Sequence, residues 1–386
     1  MRDKIKVAHI ITLLELGGAQ NNTLYTVRNL DRNKFDVLLI CGKGGILDDE
    51  AQKIPRAGVY FIPALAREIN FLKDLFSLAR LVIILLKEQP DIVHTHSSKA
   101  GILGRWAAII ARVPFIIHTF HGFGFNDFQK PVIKKAYILS EKITALISSR
   151  LVFVSKQNME TALKLKIGSE GKYELIRSGI KISDYTGVIV DKSSKKKSLN
   201  LPENARVVTT IGPFKPQKNL ADFIEVAKNI APRFRNTYFL VIGDGRGRNR
   251  LESAVKSYSL HDRVLFLGWR KDIPEILAVT DIFAMTALWE GLPRSAVEAL
   301  VSGKPVIAYE IDGNKDIIKN NYNGFLIKPK ETASFSEKLA LLLSDNSLLQ
   351  TLSEQAKKSI DKTFDIEYMV MQQENMYLEL AGQTSR

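Results

Sequence analysis

The chain has 386 residues, 45% of them hydrophobic, and a mean hydropathy of −0.04: material for two cores of ordinary size, and too polar for a membrane-embedded protein. Lys and Arg outnumber Asp and Glu 55 to 41, and the lone Cys41 excludes an internal disulfide framework and fits a reducing cytoplasm. Residues 1–185 carry 27 basic and 17 acidic side chains, so +10 of the net +14 lies in the first half, a field suited to nucleic acid, an anionic membrane or phosphorylated substrates.

The first residues, MRDKIKVAHIITLLE, are a charged start running into a strand and do not resemble a secretory leader. Apolar, β-branched runs follow in order: KVAHII (6–11), FDVLLIC (35–41), DIVHTH (91–96), FIIHTF (115–120) and LVFVS (151–155). Segments of helical period separate them, among them 71–87, whose LVIILL is far short of the ~20 apolar residues of a spanning helix. Cys41, behind VLLI, reads as a buried structural thiol. A Lys/Ser-rich stretch at 184–205 is expected to be an exposed linker, with Lys192, Lys195, Lys196 and Lys197 in water. The scheme then repeats with RVVTTIG (206–212), YFLVIGDG (238–245), RVLFLG (263–268), DIFAMTA (281–287), PVIAYE (305–310) and GFLI (324–327). Apolar strands alternating with helices argue for parallel sheets covered on both faces, hence two doubly wound domains, 1–185 and 186–363. The remainder, 364–386, reads as a C-terminal helix.

Doubly wound domains bind ligands outside the carboxyl ends of their strands, and the unusual residues gather there. LGGAQ (16–20), HTHSSKAG (94–101) and HTFHGFGF (118–125) do so in the first block. GPFKPQKN (212–219), GDGRGR (243–248), GWRKD (268–272) and WEGLP (289–293) do so in the second. One Gly-Gly would be ordinary turn chemistry. Seven such loops in register point to two ligand-facing surfaces with a cleft between them.

With these residues in view, the chain resembles the retaining glycosyltransferases of the GT-B fold, specifically glycosyltransferase family four, over nearly its whole length. The most specific element is an E-x7-E motif, Glu290 to Glu298, within WEGLPRSAVEAL. Gly17-Gly18-Ala19-Gln20, His121-Gly122, FVSKQN, Lys218 in KPQKN and the GDG at 243–245 accompany it. The resemblance implies an α/β GT-B architecture, two Rossmann-like domains facing across a cleft, with the C-terminal helix crossing back to the first. It also implies a nucleotide-sugar donor, UDP-linked, as co-substrate, and transfer with retention of configuration.

The spacing of the two glutamates suits that chemistry. Pro293 fits a helix's first turn, where a missing N–H costs nothing, and free N–H groups around Leu292 and Arg294 would face the donor diphosphate. Glu290, before the helix, would reach the transferred sugar; Glu298, further along it, would accept from both hydroxyls of the ribose. Lys218 would stabilise charge on the leaving diphosphate. By resemblance, His121 joins Lys218 and Glu290 at the reacting centre. Gly17, Gly18, Gly245, Trp269, Arg270, Leu292, Arg294 and Glu298 are assigned to the nucleotide sugar, and Gln20 and Lys99 to the acceptor side. The family's arginine directly after the strand-end glycine is Pro213 here, which leaves Lys215 or Arg294 to supply a second cation.

No D-x-D pair occurs, so no metal is expected at the donor. His94, His96 and His118 read as packed or supporting histidines, not a zinc cluster, because no H-x3-H pair or neighbouring cysteine accompanies them. GDGRG is a shortened form of the dinucleotide fingerprint. In 125–150, Val132, Ala136, Leu139, Ile143 and Leu146 recur at helical spacing, with Lys130, Lys134, Lys135 and Lys142 off the stripe. Such a helix either packs its stripe on the sheet or rests on anionic lipid, at the inner face of the cell membrane, and the packed form is the plainer expectation. The function that emerges is transfer of a hexose or N-acetylhexosamine to a membrane- or lipid-linked glycan. Alternatives are a GT-B enzyme that uses a soluble acceptor or isomerises a UDP-sugar, and a basic nucleic-acid binder, disfavoured because no aromatics interleave the charge.

Overall fold

Runs such as FDVLLIC place apolar side chains on both faces of the extended chain, which only a sheet covered on both sides can bury. In the computed structural model, which describes residues 4–382, they are parallel strands of two sheets. Contacts divide the chain into one unit formed by residues up to 179 together with 366 onward, and a second formed by 180–365.

In the first unit, β1 (Ile5–Ile10), α1 (Gly18–Asn29), β2 (Phe35–Cys41), α2 (Asp48–Gln52) and β3 (Ala57–Phe61) build one half. The other half comprises α3 (Phe71–Glu88), β4 (Ile92–His96), α4 (Ser98–Ile110), β5 (Phe115–Phe120), α5 (Pro131–Leu146), β6 (Arg150–Phe153), α6 (Lys156–Leu165) and β7 (Tyr173–Leu175). The strand order is β3-β2-β1-β4-β5-β6-β7, so the winding reverses between β1 and β4. Alternate residues serve opposite layers. Val7, Val37, Leu39 and Ile92 pack with Leu24 and Val27 of α1, while Ala8, Leu38, Ile40 and Val93 pack with Leu81, Leu85 and Ala107 of α3 and α4.

The second unit runs α7 (Lys192–Ser198), β8 (Arg206–Ile211), α8 (Leu220–Ile230), β9 (Thr237–Ile242), α9 (Arg248–Ser257) and β10 (Val264–Gly268). It continues with α10 (Ile273–Val279), β11 (Ile282–Met285), α11 (Arg294–Val301), β12 (Val306–Tyr309), α12 (Asp312–Lys315), β13 (Gly324–Ile327), α13 (Thr332–Ser344) and α14 (Asn346–Lys358). Its order, β10-β9-β8-β11-β12-β13, reverses between β8 and β11. The last helix, α15 (Ile366–Gly382), belongs to the first unit, where Met369, Val370 and Tyr377 join the α1 side of the core.

Three features depart from the sequence reading. Strands β3 and β7 were not among the apolar runs: both are edge strands, only half-buried along their length, and β7 has three residues. The Lys/Ser-rich stretch is not a plain linker. Asp191 caps α7 by accepting from the backbone N–H groups of Ser193 and Ser194, and Leu199, Leu201 and Ala205 enter the core. Lys195, expected in water, is buried against Asp272 (2.6 Å) and Glu275.

The third departure is α5, whose apolar stripe does not pack on the sheet. Val132, Leu139 and Leu146 are 79%, 58% and 74% exposed, and the residues the helix buries are Glu141, Thr144 and Ala145. Arg105 of α4 donates to Glu141 at 2.5 Å, with 0% and 2% of the two side chains exposed. Burial pushes the Glu141 carboxyl up and lowers the Arg105 guanidinium, while their mutual attraction opposes both shifts. This pair turns α5 so that its apolar stripe faces solvent.

Candidate active site

In the second unit the reversal point is built from the β8–α8 and β11–α11 loops. Gly212 follows β8, and a Cβ there would lie 2.8 Å from Cε of Lys218, so only a bare backbone leaves the lysine its track. Gly243, at φ +128, passes so close that a Cβ would meet the Gly212 carbonyl at 2.0 Å. Lys218 ends a 3-10 turn, Pro216–Lys218, and its Nζ lies 2.5 Å from Glu290 Oε1, with side chains 14% and 12% exposed. The two loops are laced together. Leu288 N–H donates to the Gln217 carbonyl (2.9 Å), Gln217 Nε2 to the Trp289 carbonyl (2.8 Å), and Thr286 Oγ1 to the Asn219 carbonyl (3.0 Å). The ion pair is therefore held by the backbones on both sides of it.

Pro293 occupies the position just before α11, one residue earlier than the sequence suggested, and Arg294 opens the helix. Leu292 is buried, so its backbone rather than its side chain is what the loop offers a ligand. Glu298 lies one turn on, and burial raises its carboxyl above the usual value against the pull of Arg294 (4.0 Å away) and the phenol O–H of Tyr185, which donates to it. Arg294 Nε is buried with no partner among the described residues. A carboxylate and an unmet guanidinium donor thus sit side by side, the arrangement a group with both hydroxyls and anionic oxygens would satisfy. Gly245 crosses Phe214 closely; a Cβ would lie 3.1 Å from that residue's carbonyl. Trp269 is 44% exposed, and Arg270 forks onto Asp272 at 2.8 and 2.6 Å. Arg270 and then Lys195 hold the Asp272 carboxyl well below the usual range. The structure thus brings Lys218 to Glu290 and Arg294 to Glu298, but joins Arg270 to Asp272 and Lys195.

In the first unit, Gly17 precedes α1 and Gly18 opens it; a Cβ on Gly17 would meet Gln20 Oε1 at 2.5 Å. Gln20 donates to the Leu13 carbonyl at 3.3 Å. Lys99, in the first turn of α4, pairs with Asp74 of α3 and donates to the Glu68 carbonyl, so its ammonium is already engaged.

His121 follows β5 on its loop, and its Nε2 is 3.1 Å from Nδ1 of His96. Nε2 of His96 is 3.0 Å from Nδ1 of His9, a β1 residue that the sequence reading did not single out. Burial lowers His121 to about 4 and His9 to about 3, and holds His96 well below its ordinary value. All three imidazoles are therefore neutral at pH 7. His94 bonds Tyr377 Oη and Thr119 Oγ1, each at 2.6 Å, and His118 bonds Thr95 Oγ1 at 2.9 Å. Those two are packed supports; His96, expected to be one as well, bonds His121 directly. Nitrogens of His9, His94 and His96 lie within 4.8 Å of one another; hydroxyls bond both nitrogens of His94, and His9 and His121 bond the two of His96, which leaves His9 Nε2 without a partner among the described residues. Ser97 follows at φ +63 and ψ 154, a conformation costly for a residue with a side chain.

Tyr185 and His9 are the site neighbours that sequence reasoning missed; Gly212 and Gln217 lay in the loop GPFKPQKN that it singled out, without a role of their own. Neither Tyr185 nor His9 carried a sequence signal of its own.

Residues 191–359 match the family described as glycosyl transferases group 1, and residues 16–184 match glycosyltransferase family 4. The chain is 36% identical over 380 residues to the Escherichia coli UDP-Gal:alpha-D-GlcNAc-diphosphoundecaprenol alpha-1,3-galactosyltransferase, covering 98% of this chain and 97% of that one. It is 28% identical to the Campylobacter jejuni N,N'-diacetylbacillosaminyl-diphospho-undecaprenol alpha-1,3-N-acetylgalactosaminyltransferase, over 86% of this chain and 88% of that one. In fold it is similar to Anabaena HepE crystallised with UDP and glucose, at a TM-score of 0.82 and 21% identity, over 96% and 99% of the two chains.

Proposed function

We propose, from the premise that this chain belongs to glycosyltransferase family four (glycosyl transferases group 1), that it transfers a hexose or N-acetylhexosamine from a UDP-sugar to a diphosphate-linked lipid glycan. The observation that carries the reading is the Lys218–Glu290 pair, held by laced loops at the reversal point of the second sheet, with Glu298 one turn into α11. An arriving diphosphate exchanges the carboxylate partner of Lys218 for phosphate oxygens and frees Glu290 to accept from hydroxyls of the sugar. Glu298 accepts from the ribose, and Arg294 Nε meets a donor oxygen.

Transfer proceeds with retention. The acceptor oxygen attacks the anomeric carbon from the face the diphosphate leaves; the C1–O bond to phosphate breaks as the new C1–O bond forms, and a leaving phosphate oxygen takes the acceptor's proton. Lys218 stabilises the charge that grows on that leaving group, an interaction stronger in the transition state than in the ground state. His121, which the family resemblance brings to the donor, serves as a hydrogen-bonding group, since its lowered basicity makes it a poor proton acceptor.

The outward stripe of α5 supports a lipid-linked acceptor. Phe71, Leu72, Leu75 and Phe76 of α3 add 80%, 76%, 55% and 55% exposed apolar side chains, and Lys130, Lys135 and Lys142 border the α5 stripe. Apolar residues beside lysines suit the headgroup region of an anionic bilayer. No described helix is long and apolar enough to cross a membrane.

The test is product formation from UDP-galactose, UDP-glucose and UDP-N-acetylglucosamine with a sugar-diphospho-undecaprenol acceptor, run with and without EDTA. One donor is expected to give a lipid-linked glycoside, with activity unchanged by EDTA. Absence of UDP release from every donor would overturn the reading; activity restored only by Mg²⁺ or Mn²⁺ would overturn the metal-free diphosphate site. Sedimentation with phosphatidylglycerol vesicles should carry down the native chain, and Val132→Glu with Leu139→Glu should leave it in the supernatant.

A further inference from the structure

The three linked imidazoles of the first unit constrain one another. A neutral imidazole has one N–H and one lone pair, so each hydrogen bond in a chain of them fixes the direction of the next. His9 Nδ1, His96 and His121 Nε2 therefore admit only two arrangements. In the inward one, His121 donates from Nε2 to His96, His96 donates to His9, and the remaining proton sits on His9 Nε2. In the outward one every proton moves across: His9 donates to His96, His96 donates from Nδ1 to His121, and the remaining proton sits on His121 Nδ1.

The two terminal atoms, His9 Nε2 and His121 Nδ1, are both buried and without a partner among the described residues. They differ in what can reach them. His9 is 0% exposed within a central strand, enclosed by His94, His96 and Tyr377, so a proton on its Nε2 meets no acceptor among the described residues and lies away from any arriving ligand. His121 is half-buried on the β5–α5 loop, at the carboxyl end of the sheet, where a ligand arrives. An unpaired buried donor costs its full desolvation penalty, and orphaned N–H groups are rarer than under-satisfied acceptors. The outward arrangement is the lower in energy.

We propose that His9 and His96 are positioning residues that fix His121 as its Nδ1–H tautomer, so that it meets the substrate as a hydrogen-bond donor. The two-way choice stands on the hydrogen bonds, and the selection between its members on the enclosure of His9 and the loop position of His121; its use on a sugar or phosphate oxygen rests on the glycosyl-transfer reading above. Burial keeps all three rings neutral, which preserves the one-donor, one-acceptor logic. The strained Ser97 and the Tyr377 and Thr119 hydroxyls on His94 hold the neighbouring backbone and ring in place. His96 is then more than a packed residue, because a shape-matched apolar side chain there would free His121 to choose either tautomer.

The test is a long-range ¹H–¹⁵N spectrum of the full chain labelled at histidine, with His121 assigned by its loss in His121→Asn. In the native chain at neutral pH, His121 is expected to carry its proton on Nδ1 with Nε2 bare. His96→Leu should abolish that preference, and His96→Asn, whose amide N–H stands where Nδ1 stood, should retain it. In turnover, His96→Leu should lower kcat by at least about tenfold and His96→Asn by no more than about threefold, both with UDP affinity unchanged. A native His121 protonated at Nε2, a preference that survives His96→Leu, or stoichiometric zinc in the purified chain would each overturn the proposal. The spectrum is read without substrate, so it decides the tautomer even if the glycosyl-transfer reading fails. Equal kcat in the native chain and His96→Leu would overturn the donor role alone.

Discussion

The two sheets reverse their winding in the same way, yet the residues at the two reversal points could hardly differ more. At β8 and β11 the second unit holds a nearly buried ion pair, Lys218 and Glu290, and beside it Arg294 and Glu298. At β1 and β4 the first unit holds neutral imidazoles, His9, His94 and His96, joined to His121. The first unit's own buried ion pair, Arg105–Glu141, lies between α4 and α5, where it orients a helix. Charge that can exchange partners suits a site that receives a diphosphate; neutral hydrogen bonds of fixed direction suit a site that must orient an uncharged hydroxyl. The contrast separates structural charge from charge available to a ligand.

The largest expected effect tests the structural member of that contrast. Glu141→Ala leaves Arg105 charged and unpaired in a dry layer and should cost about 3–5 kcal/mol of unfolding free energy in urea. A loss below about 1 kcal/mol would show that the pair does not anchor α5. Lys218→Ala tests the exchangeable member. Its kcat should fall by about 10²–10³, with a smaller loss of donor affinity, because leaving-group charge grows toward the transition state. An equal loss in UDP affinity and in kcat/KM would make Lys218 a binding group only.

A smaller effect concerns protons. Burial raises the Glu298 carboxyl above its ordinary 4.5, so on acidification it takes up a proton earlier than an exposed glutamate and, in the proposed role, could no longer accept from both ribose hydroxyls. UDP affinity of the native chain should therefore fall as pH drops toward 4.5 from above, more steeply than that of Glu298→Gln. The comparison removes the titration of UDP itself. Parallel pH profiles for the two proteins would exclude an ionised Glu298 from the nucleotide site.

Local patterning carried most of the fold and part of the site. Eleven apolar runs became strands, most of them buried on both faces and recognisable without partner information; the edge strand β10 is half-buried beyond Val264 but kept an apolar run. Strands β3 and β7 lacked that signature, being half-covered edges. The α5 stripe shows where periodicity stops: it reveals an amphipathic helix but not which face turns inward, and here Glu141 outweighs Leu139 because Arg105 waits beneath it. Glu290, Glu298 and Lys218 were legible through their motif context, and the glycines through their turns. Tyr185 against Glu298 and His9 against His96 were not, since those contacts join segments far apart in the chain and no spacing rule links them. Arg270 was assigned to the nucleotide sugar, and the structure instead joins it to Asp272, two residues on, which Lys195 also holds.

The central claim is that the two glutamates of the motif divide the donor between them, and calorimetric titration of Glu290→Ala and Glu298→Ala with UDP and with the intact UDP-sugar tests it most directly. Glu298→Ala should lose about 1–3 kcal/mol of affinity for UDP itself, the scale of a hydrogen bond to a charged group. Glu290→Ala should bind UDP at least as tightly as the native chain, because Lys218 is released to the diphosphate, while losing affinity or turnover with the intact sugar donor. Equal losses of UDP affinity in both variants, with the sugar handled normally, would contradict the account.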